Sequence, residues 1–347
     1  MSPTDTPLIL ALESSCDETA GAVMRGGREV LSQFVASQVD LHRVYGGVVP
    51  EVACRAHMEC LIPGVDTLMR DAGVTPADLS AVAVTSRPGL IGALLVGVSA
   101  AKGLAMAWDK PLIGVDHIEG HIAAAGLAEP ELRAPYVALV VSGGHTNLYL
   151  VPEDEPGRDG MTCLASTLDD AAGEAFDKAA KLLGLGFPGG PRIEAAAKAG
   201  DPQAYAWRKT CLPPDGTNFS FSGLKTAVLY AARGRAGRKG PLLLDDQGVA
   251  DAAASFQEAV THALVTRAME AAEERRVKWL ALGGGVAANG YLRRAMQAEA
   301  EAEKRGLRVA IPPMSLCTDN AVMIARRATQ LYAAGVRDGL DLETAAR

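Results

Sequence analysis

Two of the six histidines, His117 and His121, stand four residues apart in the stretch "GVDHIEGHIAAA". On a helix that spacing turns both imidazoles to one face. Such a pair suits a first-row divalent metal, and it equally suits two solvated or helix-capping histidines. Spacing alone leaves both readings open. The order differs from the protease motif HExxH. Ile118 directly follows the first histidine, and Glu119 lies about 200° round the helix from His117. The general base of that motif is therefore missing. Asp319, in "SLCTDNAVMIA", opens a predicted last helix, where it is either a third ligand or a plain N-cap.

Two Gly-rich turns form a second set. "VVSGGHTNL" follows a strand and offers Ser142, Gly143 and Gly144, whose backbone N–H groups suit an anion. "ALGGGVAANGYL" ends a strand and opens a helix, so a nucleotide would meet helix polarity at Gly283–Gly285. Neither is a Walker loop or GxGxxG, and such turns also serve packing alone. A third set is "LDDAAGEAFDKAAKLLGLGFPGGPRIEAAAKAG". Its acidic residues, Asp169, Asp170, Glu174 and Asp177, read as a solvated helix face. Alternatively, a carboxylate beside the "FPGGP" loop, such as Glu194, takes ribose hydroxyls. "NFSFSGLKTAV" is either a substrate-contacting loop or an N-cap with a hydrophobic staple.

The elements that must position these residues alternate between strand and helix. "LILALESS" and "CDETAGAVMRGG" read as strand, turn and strand. The layout returns in "APYVALVVSGGHTNLYLV", about 127 residues later. We expect a duplicated αβ domain. Between the blocks, "DLSAVAVTSRPG" is a strand, "LIGALLVGVSAAKGLAMAW" a helix, and "KPLIGVDHI" a strand feeding the histidine helix. Later, "FQEAVTHALVTRAMEAAEERR" is an amphipathic helix, and "VKWLALGGG" and "LRVAIPP" are strands. The alternation implies an α/β fold with its sheets covered by helices. Loops are expected at Pro152–Gly160, Gly184–Arg192 and Gly234–Gly240.

Composition narrows the function classes. At 347 residues, 48% of them apolar, the chain is long enough for two well-filled cores. The six cysteines are scattered without a CxxC pair, which fits reduced thiols in a cytoplasm. A net charge of −7 argues against non-specific coating of nucleic acid while leaving room for a local basic face. No signal peptide or membrane span is expected. The most apolar helix carries Lys102 and many small residues, as a buried helix does.

Taken together, "ESSCDETA", "HIEGHI", "VSGGHT", "DDAAGEAFDKAAKLLGLGFPGGP", "FSFSGLKTAV", "GGGVAAN" and "CTDNAVMIA" resemble the TsaD family, the tRNA N6-adenosine threonylcarbamoyltransferases, formerly described as O-sialoglycoprotein endopeptidases. The likeness runs in order from about Leu8 to Ala334. It implies two related ribonuclease H-like lobes of the actin, sugar-kinase and heat-shock-chaperone ATPase superfamily, with a nucleotide cleft. We expect an N-terminal lobe of residues 1–132, completed by residues 320–347, and a C-terminal lobe of residues 133–319.

The resemblance also implies chemistry. One divalent metal, Fe2+ or alternatively Zn2+, would be held by His117, His121 and Asp319. Threonylcarbamoyl-AMP would lie along Val140, Val141, Ser142, Gly143 and Gly144, its adenosine part near Asp177, Gly190, Glu194 and Asn289. Val140 stands where the family more often has Leu. The acceptor would be N6 of adenosine 37 in tRNAs reading ANN codons. Apart from the resemblance, the place of His145 beside the Gly turn makes it a candidate to orient substrate or shuttle a proton. The implied partners are a TsaB-like paralogue, as a heterodimer, and a TsaE-like ATPase. The expected location is the cytoplasm, with no membrane partner. The helix region Glu51–Met69 is a partner surface or a plain core helix, and Arg233–Lys239 with Arg293 and Arg294 are candidate tRNA contacts. Three competing readings are a metalloprotease, disfavoured by the missing base, an ATP-dependent small-molecule kinase or ATPase of the same superfamily, and a non-catalytic scaffold.

Overall fold

The apolar run Leu8–Leu12, closed by Glu13, is too short for a helix and wholly non-polar until its last residue. In a computed structural model of the protein it is strand β1, Leu8–Glu13, with every residue buried. The structure describes residues 6–153, 157, 160–213, 216–234, 237, 240–302 and 306–346. The chain divides into two units. The first is Met1–Leu127 with Gly157–Asp159 and Asp319–Arg347, and the second is Ala128–Pro156 with Gly160–Thr318.

In the first unit β1 pairs antiparallel with β2 (Glu18–Arg25), which pairs antiparallel with β3 (Glu29–Ser37). The short α1 (Val39–Arg43) and long α2 (Pro50–Ala72) follow. β4 (Ala81–Arg87) then runs parallel to β1. After α3 (Ile91–Trp108), β5 (Leu112–Asp116) lies parallel to β4 and leads directly into α4 (His117–Ala128). Helix Ala321–Ala333, from late in the chain, packs on β1 and β2. The parallel strands are buried on both faces and so are continuously apolar rather than alternating. Leu10, Leu12, Val82, Val84, Leu61 and Val98 sit in one core. α3 reaches that core because Gly97 lacks a side chain: a Cβ there would stand 2.2 Å from Ser14 Oγ, just past β1. Among the described residues α3 is the helix long and apolar enough to cross a membrane, by length and composition alone. Its Ala93, Leu94 and Ala101 are buried in this unit.

The second unit repeats the plan. β6 (Tyr136–Val141), β7 (Thr146–Val151) and β8 (Thr162–Ser166) form an antiparallel meander. Next come α5 (Ala172–Leu182), α6 (Gly189–Ala197), α7 (Ser222–Arg233) and α8 (Asp246–Glu274). β9 (Trp279–Gly283) is parallel to β6. α9 (Gly290–Ala302) and then β10 (Arg308–Ala310), parallel to β9, complete it. In chain order Ala321–Ala333 is α10. Among the described residues the two sheets read β3-β2-β1-β4-β5 and β8-β7-β6-β9-β10. This is one strand order used twice. Phe176, Phe219, Phe221 and Phe256 anchor the second core.

One loop expectation is corrected. Gly189–Arg192 is the first turn of α6. Pro188 sits at its N-cap position, and Pro191 falls within the first turn, where a missing N–H costs nothing. Of the other expected loops, residues 154–156, 158, 159, 235, 236, 238 and 239 lie outside the described residues.

Candidate metal centre

The turn from β5 into α4 is set by Asp116. Its Oδ1 accepts from the N–H groups of Ile118 at 2.8 Å and Glu119 at 3.2 Å, as an N-cap does. His117 thus begins the helix, and His121 lies one turn further along the same face. Both are buried, at 5% and 0% exposure, which removes the solvated reading of the pair. The rings meet edge to face, with centroids 4.7 Å apart. The N-cap of α10 is Asn320, which accepts from Met323 N–H at 3.0 Å, so Asp319 is not the cap. Asp319 instead presents Oδ1 to the histidines, 3.3 Å from His117 Nε2 and 3.2 Å from His121 Nε2. The three candidate ligand atoms all lie within 4.8 Å of one another.

Glu13, which the sequence reading passed over, stands behind His117. It is fully buried. Its Oε1 accepts from Ser15 N–H at 2.5 Å, and its Oε2 accepts from Thr85 Oγ1 at 2.5 Å and His117 Nδ1 at 3.0 Å. The charges set one another. Burial works against ionised His117, but the Asp319 and Glu13 carboxylates hold it well above its ordinary value. Burial pushes His121 down. Burial also opposes the ionised Asp319, yet His117 beside it keeps that carboxyl well below the usual carboxylate range. Glu119 points the other way, as its helical phase requires. Its Oε2 accepts from buried Arg327 Nε at 2.8 Å, so it is a structural ion pair rather than a base at the centre.

The residues fit a divalent cation. In the protein alone, His117 Nε2 can donate to Asp319 only as an imidazolium, because Nδ1 already donates to Glu13. His121 Nδ1 is buried with no hydrogen-bond partner among the described residues. A cation among two imidazoles and a carboxylate relieves this crowding, and the mixed N/O donor set accepts zinc or iron.

The remaining predicted site residues lie in the second unit. Ser142 and His145 close a tight turn between β6 and β7. Ser142 N–H donates to His145 O at 2.8 Å, and His145 N–H donates to Ser142 Oγ at 3.1 Å. Val140 and Val141 are buried in β6, while Gly143 and Gly144 are exposed at the tip. Gly284 abuts this strand. A Cβ there would meet Val141 O at 2.4 Å, and its φ of +88° favours glycine. Asp177 Oδ1 accepts from Gly189 N–H at 2.6 Å, next to Gly190. Glu194 Oε1 accepts from Gly290 N–H at 3.0 Å. Asn289 caps α9 through Leu292 N–H at 2.9 Å and donates to Gln257 at 2.9 Å. A cavity of about 390 Å³ is lined by Glu194, Lys198, Gln257, Tyr291 and Arg294 among others. Its volume is within the roughly 300–1,000 Å³ of small-molecule sites. Asp177, Gly190, Asn289 and Val140–Gly144 are not among its lining residues. Arg293, a candidate tRNA contact, donates inward to the carbonyls of Ala287 and Pro312 at 3.1 and 2.9 Å.

Comparison with known proteins gives a consistent result. The family model TsaD, tRNA N6-adenosine threonylcarbamoyltransferase, matches residues 29–326. The tRNA N6-adenosine threonylcarbamoyltransferase of Symbiobacterium thermophilum is 56% identical over 96% of this chain and 94% of its own length. That of Anaeromyxobacter dehalogenans is 53% identical over 96% and 97%. Among solved structures, HypF of T. kodakarensis has a TM-score of 0.62 at 18% identity, over 95% of this chain and 48% of that one. Component A of the Acidaminococcus fermentans (R)-2-hydroxyglutaryl-CoA dehydratase has a TM-score of 0.52 at 13% identity, over 94% and 99%. At these identities the structures share the fold alone, that of the actin-like ATPases.

Proposed function

This chain belongs to the TsaD family and is a tRNA N6-adenosine threonylcarbamoyltransferase; we propose that it takes threonylcarbamoyl from threonylcarbamoyl-AMP and places it on N6 of adenosine 37 in tRNAs reading ANN codons. The observation that carries the proposal is the convergence of His117, His121 and Asp319 in a chain that the family model spans. The donor is a mixed anhydride with a good leaving group. The N6 amine is a weak nucleophile, because its lone pair is delocalised into the purine. The demand on the protein is therefore orientation and charge stabilisation rather than a covalent nucleophile.

His117, His121 and Asp319 hold the ion, Fe2+ or Zn2+, which when bound supplies Lewis-acid polarisation of a carbonyl or carboxylate oxygen. The exposed tip Gly143–Gly144 offers backbone N–H groups to an anionic part of the donor. Asp177, Gly190, Glu194 and Asn289 form the adenosine end in this reading; Glu194 lines the cavity, and Asn289 donates to Gln257, which also lines it. His145, at the close of the same turn, orients substrate or carries a proton. Unchanged transfer by His145→Ala would remove it from this role.

A TsaB-like paralogue and a TsaE-like ATPase are the partners in this reading, and the cytoplasm is the place, where tRNA is found. α2 exposes Met58 and Ile62, which supports a protein partner on that helix. The test is single-turnover transfer of labelled threonylcarbamoyl to an unmodified ANN-decoding tRNA, with both partners present. Wild type should label adenosine 37, and His117→Ala/His121→Ala should not. Equal labelling by both would demote the histidines to structure. Labelling by neither, in a mixture where a known relative works, would sink the transferase reading.

A further inference from the structure

We propose that Glu13 is a positioning residue for the metal centre: it locks the His117 ring so that Nδ1–H points inward and Nε2 faces Asp319. The inference rests on the reading of His117, His121 and Asp319 as the metal ligands. An ionised carboxylate only accepts hydrogen bonds, so the 3.0 Å contact assigns the proton to His117 Nδ1. Ser15 Oγ, 3.2 Å from the same nitrogen, lies on the same side of the ring. With Nδ1 engaged, Nε2 is the atom left for a metal, and it is the atom that stands 3.3 Å from Asp319 Oδ1.

Glu13 cannot itself swing to the metal side without leaving its other two donors. Ser15 N–H holds Oε1, and Thr85 Oγ1 holds Oε2. Its complete burial at the end of an apolar strand is otherwise unexplained. A buried carboxylate on such a strand is costly unless it is hydrogen-bonded, and here its oxygens accept from the turn after β1, from β4 and from α4. Carboxylates that hydrogen-bond the far nitrogen of a ligating histidine fix its tautomer and raise its basicity. Their removal weakens metal binding by roughly 10–100-fold.

The test uses the full chain and Zn2+ alone. Zinc affinity is measured by competition with a chromophoric chelator for wild type, Glu13→Gln and His117→Ala/His121→Ala. Far-UV circular dichroism checks each fold. In parallel, 15N-histidine spectra of zinc-loaded wild type report which His117 nitrogen keeps its proton. That second measurement needs no Glu13 variant, so it decides the matter even if Glu13→Gln does not fold. The expected results are stoichiometric zinc in wild type, a protonated His117 Nδ1 with zinc on Nε2, and roughly 10–100-fold weaker binding by Glu13→Gln. Zinc on Nδ1, or a folded Glu13→Gln with wild-type affinity, overturns the role of Glu13 and leaves the ligand set standing. No stoichiometric zinc in wild type, or undiminished zinc binding by the double histidine variant, overturns the ligand set and this inference with it.

Discussion

Replacing Glu119 with Leu should destabilise the first unit by about 3–5 kcal/mol, the cost of removing one member of a buried ion pair. The pair is Arg327 Nε to Glu119 Oε2 at 2.8 Å, with side chains 2% and 8% exposed. Arg327 also donates to Gln330 Oε1 at 3.3 Å and to Gly157 O at 3.0 Å. Removing the Glu119 carboxylate takes away a charged acceptor while these hydrogen bonds remain, so the loss should fall toward the lower end of that range. The double variant Glu119→Leu/Arg327→Met separates charge from shape. It removes both ions and fills similar volume, and the exposed Gly157 carbonyl returns to water, so most of the loss should be regained. The assay is urea unfolding of protein labelled with 5-fluorotryptophan. Trp108 lies in the first unit and Trp207 and Trp279 in the second, so each unit has its own 19F signal. A Glu119→Leu loss under about 1 kcal/mol at the Trp108 signal would refute the reasoning, as would a double variant no more stable than the single.

Other expectations follow from the same geometry. His117 is held above its ordinary value in the metal-free protein, so zinc uptake near neutral pH should release a proton from it. Calorimetry in buffers of different ionisation enthalpy would show this, and equal apparent enthalpies in all of them would contradict it. Gly284→Ala meets both a φ of +88° and the Val141 carbonyl at 2.4 Å, so overpacking alone should cost about 1–3 kcal/mol. Urea midpoints read at Trp207 and Trp279 would measure it. In the second unit, burial opposes ionised Asp169, but the hydroxyls of Ser220 and Ser222 hold it below its ordinary value. Burial likewise opposes Asp170, which Lys178 and Lys225 hold down. Depressed carboxyls stabilise the fold above the unfolded value of about 3.9 and lose that contribution as pH falls through their folded values. Wild type should therefore weaken steeply below about pH 4, and Asp169→Asn less steeply. Parallel stability–pH curves for the two would count against the assignment.

His117, His121 and Asp319 were all visible as residues of a candidate centre, because four-residue spacing on a helix is a local property. Which of two readings held was not local. The histidines prove buried in a unit that Asp319 and α10, about 200 residues further on, complete. Asp319 and Asn320 are both competent N-caps, and adjacent residues of equal propensity cannot be ranked without the backbone. The doubled strand–turn–strand layout pointed to the repeated unit, since strands reveal themselves by short-range apolar patterning. The order in which the strands pair did not follow from it. Glu13 left one faint trace, a lone carboxylate closing five apolar residues. Its partner is 104 residues away and meets it only because β4 brings β1 and β5 onto one sheet. The Gly- and Pro-rich start of α6 hid a helix behind a loop-like composition.

The first unit takes its sheet from the early part of the chain and its last helix, with Asp319, from the far side of the second unit. On a ribosome this imposes a sequence of events. His121 and Asp319 are separated by 198 positions. At roughly 5–20 residues per second, the histidines emerge about 10–40 s before the carboxylate that completes the set. Through that interval the faces of β1 and β2 that α10 will cover stay open, while the entire second unit is made and is able to fold. The nascent chain should therefore need protection at its earliest strands rather than its latest. On the proposed ligand set, metal loading becomes a late act of biosynthesis, and a message truncated before codon 319 would yield a complete second unit beside a first that lacks α10.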